Sequence, residues 1–136
     1  MLGFQVYDAS LWVASGFRHR DFAAHPFALE LAYLRSFRAA DIAKRSLQEM
    51  RRAGTFDAAQ AQRWQSALQR VLPDVKPGDR LVGINRPGQG LAFVLNGKPQ
   101  GEIADPQLAA LFFAIWLGDK TSEPAMRQAL LAGTPP

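Results

Sequence analysis

The chain has 136 residues, no cysteine, a hydrophobic fraction of 48% and a formal net charge of +4 at pH 7. This length suits one domain with a sizeable core, so we treat residues 1–136 as a single domain. Without cysteine the chain has no disulfide, no thiolate nucleophile and no thiolate ligand for a metal. No segment approaches the ~18 apolar residues of a membrane span, which predicts that the chain has no transmembrane segment.

The positive charge is concentrated between residues 35 and 70, where eight basic side chains stand against three acidic ones, a balance of +5. Such a region attracts nucleic acid, anionic lipid or a carboxylate ligand, although a solvated helix face is the commoner explanation. Nucleic-acid binding would need aromatic side chains among the bases on one exposed surface. Because Trp64 belongs to an apolar helical stripe, we predict no nucleic-acid partner.

The first predicted elements are a strand over residues 6–13 and a polar loop over residues 16–26. A second strand follows, with Phe27, Leu29, Leu31 and Tyr33 on one face and Ala28, Glu30, Ala32 and Leu34 on the other. Both faces are fairly apolar, which favours a central strand that is covered at least partly on both sides.

Two helices are predicted next. The first covers residues 39–53 before Gly54, with an apolar stripe formed by Ile42, Ala43, Ser46, Leu47, Met50 and Ala53. The second opens at Asp57, whose carboxylate is an N-cap with Gln60 as its capping-box partner, and ends at Pro73.

The remaining residues predict a three-stranded antiparallel meander over residues 80–86, 91–95 and 100–103. Asn96-Gly97 is the strongest turn signal, since both central residues of a type I′ turn need positive φ. Helices over residues 106–117, capped by Asp105 and stopped by Gly118, and 123–132 close the chain. The pattern predicts an α+β fold, an antiparallel β-sheet with helices packed on one face.

Few residues carry an obvious chemical signature. His19 and His25, with Asp21 between them, lack the spacing that would hold two imidazoles on one metal, so we predict no metal site. No serine lies in a G-x-S-x-G elbow, and Gly88-x-Gly90 precedes a strand instead of opening a helix. The residues therefore predict no cofactor either.

Several segments, taken in order, resemble the bacterial chalcone isomerase-like family. They are VYDASLWV, FALELAYLRSF, SLQEMRRAG, VKPGDRL and, above all, PGQGLAFVLNGKPQGEIADPQLAALFFAIWLGDKTS. The resemblance implies an open-faced β-sandwich with a ligand cleft between the sheet and the helices. It also implies three functional classes: cyclisation of chalcones to flavanones, fatty-acid binding without catalysis, and exported bacterial proteins of unassigned role.

The family's cyclisation adds a phenolate oxygen to an enone and needs donors that stabilise the developing enolate. The family's arginine would fall before Met1, and its threonine falls near Tyr7. Its tyrosine, lysine and asparagine fall on Arg38, Asp41 and Arg45, and a later serine or threonine falls near Ala109. None of these identities is kept, which weighs against the plant reaction.

From the resemblance we expect a non-catalytic binder of a small amphipathic, fatty-acid-like ligand in the cleft. Arginine would take a carboxylate bidentately while an aliphatic wall takes the tail. The ligand-binding residues would be Tyr7, Tyr33, Arg38, Ile42 and Arg45. Two alternatives stay open, an isomerase or intramolecular lyase that uses Tyr7, Arg38 and Arg45, and a protein-interaction module with an empty cleft.

The family places a further strand and an export signal ahead of residues 6–13, and neither has a counterpart in this sequence. The resemblance therefore implies a truncated N-terminus and a periplasmic or exported location. A sheet that lacks this strand exposes unpaired backbone groups, which predicts a homodimer through the exposed strand or a tendency to aggregate.

Overall fold

A computed structural model describes residues 6–136 as one antiparallel five-stranded sheet with four α-helices packed on it. The strands follow one another across the sheet in the order β1-β2-β3-β4-β5. They are β1 (Tyr7–Val13), β2 (Phe27–Tyr33), β3 (Arg80–Arg86), β4 (Gly90–Leu95) and β5 (Lys98–Ile103). The helices are α1 (Ala39–Met50), α2 (Ala58–Val71), α3 (Pro106–Leu117) and α4 (Pro124–Leu131), and a short 3-10 segment covers His19–Ala24. The predicted α+β class is confirmed.

One face of the sheet forms the floor of the core. The β2 residues predicted to share a face, Phe27, Leu29, Leu31 and Tyr33, are all buried, while Ala28, Glu30 and Ala32 are only half-buried. The alternation shows that the helices cover one face and leave the other partly open. β2 is a central strand with a half-buried second face, which agrees with the expectation that it is covered at least partly on both sides.

The hairpin between β4 and β5 has the predicted turn, with φ of +50° at Asn96 and +82° at Gly97. The Asn96 side chain accepts a hydrogen bond from the Arg80 backbone N–H at 2.9 Å and donates to Asp79 Oδ1 at 3.0 Å. Asp79 also accepts from Lys76, from the backbone N–H at 2.9 Å and from Nζ at 3.0 Å. This network joins the hairpin to the turn that precedes β3.

Helix α3 is the central helix of the core, since Leu108, Phe113 and Leu117 have at most 1% of their surfaces exposed. Its predicted N-cap is confirmed, with Asp105 Oδ1 accepting from the Leu108 backbone N–H at 3.0 Å. A Cβ on Gly83 of β3 would stand 3.1 Å from the Phe113 ring. Glycine at that position therefore lets α3 pack closely against the sheet.

The two preceding helices follow the predicted stripes with small differences. In α1, Ala43, Ser46, Leu47 and Met50 are buried, whereas Ala53 lies beyond the helix end and is exposed. In α2, Asp57 Oδ1 accepts from the Gln60 backbone N–H at 2.8 Å, as its capping role requires.

Two further findings concern the described residues 6–136. None of their helices is long and apolar enough to cross a membrane. The inference about residues ahead of β1 falls on residues 1–5 and beyond, outside the part of the chain that the structure describes.

Candidate functional site

A cavity of about 620 Å³ lies between the sheet and the helices. Its floor is made of buried sheet residues, Leu31 and Tyr33 of β2 and Leu81 of β3. Its walls are mainly apolar and comprise Ile42, Leu72, Phe112, Ile115, Trp116 and Met126. Its rim consists of the exposed lining residues Arg35, Asp41, Lys44, Arg45, Gln48, Ser122 and Glu123. The cavity is thus apolar inside and charged at its opening.

Three aromatic side chains with polar atoms meet inside the cavity. Tyr7 of β1 lies directly opposite Tyr33 of β2, with their ring centroids 5.5 Å apart in an edge-to-face arrangement. Trp116 of α3 donates a hydrogen bond from Nε1 to the Tyr7 hydroxyl oxygen at 2.8 Å. Phe37 and Phe112 flank the group, against Tyr33 and Trp116 respectively. We call Tyr7, Tyr33 and Trp116 the aromatic cluster.

The Tyr33 hydroxyl has no hydrogen-bond partner among residues 6–136, although only 4% of the residue's surface is exposed. Every described side-chain nitrogen or oxygen that is sealed from water does have a partner. The Tyr33 hydroxyl must therefore keep a small surface in contact with accessible space. Since Tyr33 lines the cavity, we infer that its hydroxyl faces this space and is open to a cavity occupant.

Burial controls the ionisation of both tyrosines. It raises the pKa of the Tyr7 hydroxyl above its ordinary value of 10.0, against a smaller lowering by the Trp116 hydrogen bond. Burial also raises the pKa of Tyr33, and the neighbouring Tyr7 adds to this effect. Because desolvation disfavours the charged form of a phenol, both hydroxyls keep their protons at neutral pH.

The rim is held together by an ion pair within α1 and by contacts from α1 and the residues just after it to the segment that joins α3 to α4. Arg45 Nε lies 4.0 Å from Glu49 Oε2, and Ser122 donates a hydrogen bond to Glu49 Oε1. Arg52 Nε donates to the Lys120 carbonyl at 3.0 Å. These contacts hold the start of α4 beside the cavity opening.

The structure brings four of the five predicted binding residues to the cavity, namely Tyr7, Tyr33, Ile42 and Arg45. Arg45 lies on the rim with 74% of its side chain exposed. Arg38 does not line the cavity. It precedes the first turn of α1 in an extended conformation and lines a separate shallow depression with Asp74, whose carboxylate accepts from the Ala39 backbone N–H at 2.7 Å.

Of the positions matched to the family's donors, some line the cavity and others do not. Tyr7, Asp41 and Arg45 line the cavity, whereas Ala109 is buried in α3 and is not a lining residue. None of the three lining positions carries the side chain that the reaction uses.

Sequence reasoning missed three polar contributors, Trp116, Glu49 and Glu123. Trp116 lies in a helix that is apolar all round, so no periodicity marks which of its faces meets the cavity. A signal did exist for Glu49, which stands four residues after Arg45 on one helix face.

The histidines lie apart from this site. His25 Nε2 is 2.9 Å from Asp21 Oδ1, both on the loop between β1 and β2. No group of three or more histidine, aspartate or glutamate residues within residues 6–136 is arranged to hold a metal ion.

Comparisons with known proteins identify the architecture. A family model described as chalcone isomerase-like matches residues 1–132. The fold is similar to the crystal structure of an Arabidopsis thaliana fatty-acid binding protein, with a TM-score of 0.71, 10% sequence identity and coverage of 96% of this chain and 80% of that chain. At that identity the likeness shows the fold alone. No curated protein matches the chain in sequence.

Proposed function

The chain belongs to the chalcone isomerase-like family, and on that premise we propose that its cavity binds one small amphipathic, fatty-acid-like ligand without transforming it. The observation that carries the proposal is the apolar cavity of about 620 Å³ with a few polar groups at defined positions. Ligand sites of small molecules typically have volumes of roughly 300–1,000 Å³ and this mixture of linings.

The lining supports an elongated ligand with one polar end. Leu31, Leu72, Leu81, Phe112 and Ile115 give it an apolar surface, which favours a hydrocarbon body through the removal of apolar area from water. The hydroxyls of the aromatic cluster and the charged rim are the polar groups within reach of a head group. The similar Arabidopsis thaliana structure is titled a fatty-acid binding protein, which supports this ligand class.

The charge arrangement favours binding over isomerisation. Cyclisation of a chalcone needs donors, preferably cationic, held beside the developing enolate. Here Arg45 is mostly exposed and lies near Glu49, while the Tyr7 hydroxyl oxygen already accepts a hydrogen bond from Trp116. Among residues 6–136, the cavity lining thus supports ligand binding better than it supports the cationic donor set of the reaction.

Displacement of the neutral dye Nile red from the purified protein by decanoate and by decan-2-one tests the proposal. We expect saturable dye binding with one site per chain and displacement by at least one of the two ligands. Ile42→Trp places a large ring in the cavity wall and should reduce dye binding more than tenfold.

Ile84→Trp is the matched control, because Ile84 is half-buried on the open face of β3 and does not line the cavity. It should bind the dye like the wild type. Equal loss in both variants, or no displaceable dye in the wild type, would contradict the proposal and favour the interaction module.

A further inference from the structure

We propose that the cavity floor holds an uncharged oxygen of the ligand, such as a ketone carbonyl, in preference to a carboxylate. This oxygen accepts a hydrogen bond from the Tyr33 hydroxyl. This inference rests on the proposed function and specifies the ligand class. It follows from the hydrogen-bonding state of Tyr33, from the position of the charges around the cavity, and from the neighbours of Tyr33.

Tyr33 supplies a donor without a protein acceptor. Its hydroxyl has no hydrogen-bond partner among residues 6–136, and the residue is 4% exposed. A hydroxyl that has no protein acceptor among the described residues but touches accessible space can donate to a ligand oxygen in the cavity. The neighbouring Tyr7 hydroxyl accepts from Trp116, whereas the Tyr33 hydroxyl has no partner among residues 6–136, so we place the ligand contact at Tyr33.

Among residues 6–136, no basic side chain lies on the cavity floor. The lining bases Arg35, Lys44 and Arg45 are all exposed, and Arg45 is 74% exposed and lies 4.0 Å from Glu49. A carboxylate at the floor would lose its hydration without gaining a buried cationic partner, which is strongly unfavourable. An uncharged oxygen has a far smaller hydration to lose, and one hydrogen bond compensates for it.

The acidic side chains near the aromatic cluster also disfavour a carboxylate on the cavity floor. Glu123 and Glu49 both raise the pKa of Tyr7, and each effect exceeds the opposing effect of Arg45. These two acidic side chains therefore disfavour a negatively charged head group beside Tyr7. Because burial also raises the pKa of Tyr33, its hydroxyl remains a donor at neutral pH.

The first experiment compares two ligands of equal chain length on the wild-type protein. Decan-2-one and decanoate are titrated at pH 8 against bound Nile red, where decanoate is ionised. We expect decan-2-one to bind several-fold more tightly. Tighter binding of decanoate would overturn the inference, because a charged head group would then find a better partner than the Tyr33 hydroxyl.

The second experiment removes the hydroxyl alone. Tyr33→Phe keeps the ring contacts with Tyr7 and Phe37, so we expect a thermal midpoint at or above that of the wild type. Its affinity for decan-2-one should fall about 3- to 10-fold, the range for one hydrogen bond between neutral groups. Arg38→Ala, outside the cavity, should leave that affinity unchanged.

The outcomes separate this inference from the proposed function. An unchanged affinity of Tyr33→Phe for decan-2-one would overturn the role of Tyr33 while leaving a ligand-binding cavity intact. Failure of both ligands to displace dye from the wild type would instead overturn the proposed function, and the inference with it.

Discussion

At the scale of single residues, Arg45 and Arg38 differ in their relation to the cavity although both were expected to hold a carboxylate. Arg45 is an exposed rim residue near Glu49, and exposed ion pairs contribute about 0–1 kcal/mol. We therefore expect Arg45→Ala to weaken decanoate binding by less than about fivefold. Arg38→Ala should have no effect. A loss of ten- to a hundredfold in both variants, measured by dye displacement, would restore the paired-arginine site.

Asp79 is a carboxylate whose pKa the fold lowers strongly. The Asn96 side chain first, and then the backbone and side chain of Lys76, lower the pKa of Asp79 from 3.8 to about 2. A carboxylate with a lowered folded-state pKa stabilises the protein above its unfolded-state pKa, and this stabilisation is lost as the pH falls through the folded-state value.

We accordingly expect the thermal midpoint of the wild type to fall between about pH 4 and pH 2, the window set by 3.8 and about 2. Asp79→Asn should have a lower thermal midpoint than the wild type at pH 7. Its thermal midpoint should also change less with pH over that window. Circular dichroism melts at several pH values measure both effects, and parallel profiles would show that Asp79 does not contribute.

At the scale of elements, Asp105 joins two helices. One carboxylate oxygen caps α3 through the Leu108 N–H, and the other accepts from Trp64 Nε1 of α2 at 2.9 Å. Losing a cap costs about 0.5–2 kcal/mol and losing a hydrogen bond to a charged group about 1.5–3 kcal/mol. Asp105→Ala should therefore lower the free energy of unfolding by about 2–5 kcal/mol.

Asp57→Ala is the matched control for this prediction, since Asp57 caps α2 by one hydrogen bond and is exposed. It should cost about 1 kcal/mol. Urea denaturation measures both values, and equal losses would mean that the bond between α2 and α3 contributes nothing.

The two edge strands of the sheet differ in how readily they could pair with another chain. Within residues 6–136, β1 ends the sheet on one side and carries Trp12 at 57% exposure. The opposite edge, β5, begins with Lys98 and Pro99, which are residue types that discourage pairing with another chain. We expect β1 to mediate a homodimer or aggregation.

Light scattering tests this expectation. The wild type should approach the mass of two chains as concentration rises, and Trp12→Lys should shift it towards the monomer. A wild type that is monomeric at every concentration would contradict the edge-strand dimer.

At the scale of the whole molecule, the fold is shared with the family, whereas we expect that the plant reaction is not. We expect 2′-hydroxychalcone to cyclise in the presence of the protein at its spontaneous rate, because the donor positions carry Tyr7, Arg38, Asp41 and Arg45. Absorbance of the flavanone product follows the reaction. Turnover well above the spontaneous rate that disappears in Tyr7→Phe would favour the isomerase.

The candidate site was only partly predictable from the sequence. Tyr7, Tyr33, Ile42 and Arg45, which the family resemblance and no local pattern indicated, line the cavity, and their role in binding stays a prediction. Arg38 was grouped with Arg45 because the family resemblance puts a donor position on each of them. It lies just before the helix begins, however, where the extended backbone directs it to a different depression.

The sequence by itself determined the local features, namely the Asn96-Gly97 turn, the caps at Asp57 and Asp105, the inner face of β2 and hence the α+β class. These depend on dihedral preferences and on hydrogen bonds between residues a few positions apart, so neighbouring letters specify them. Only the tertiary structure decided that Trp116 reaches Tyr7 across 109 positions and that the Tyr33 hydroxyl has no partner among residues 6–136, beside an apolar cavity. Such contacts depend on how α3 packs on the sheet, and an all-apolar helix gives no sequence signal for its orientation.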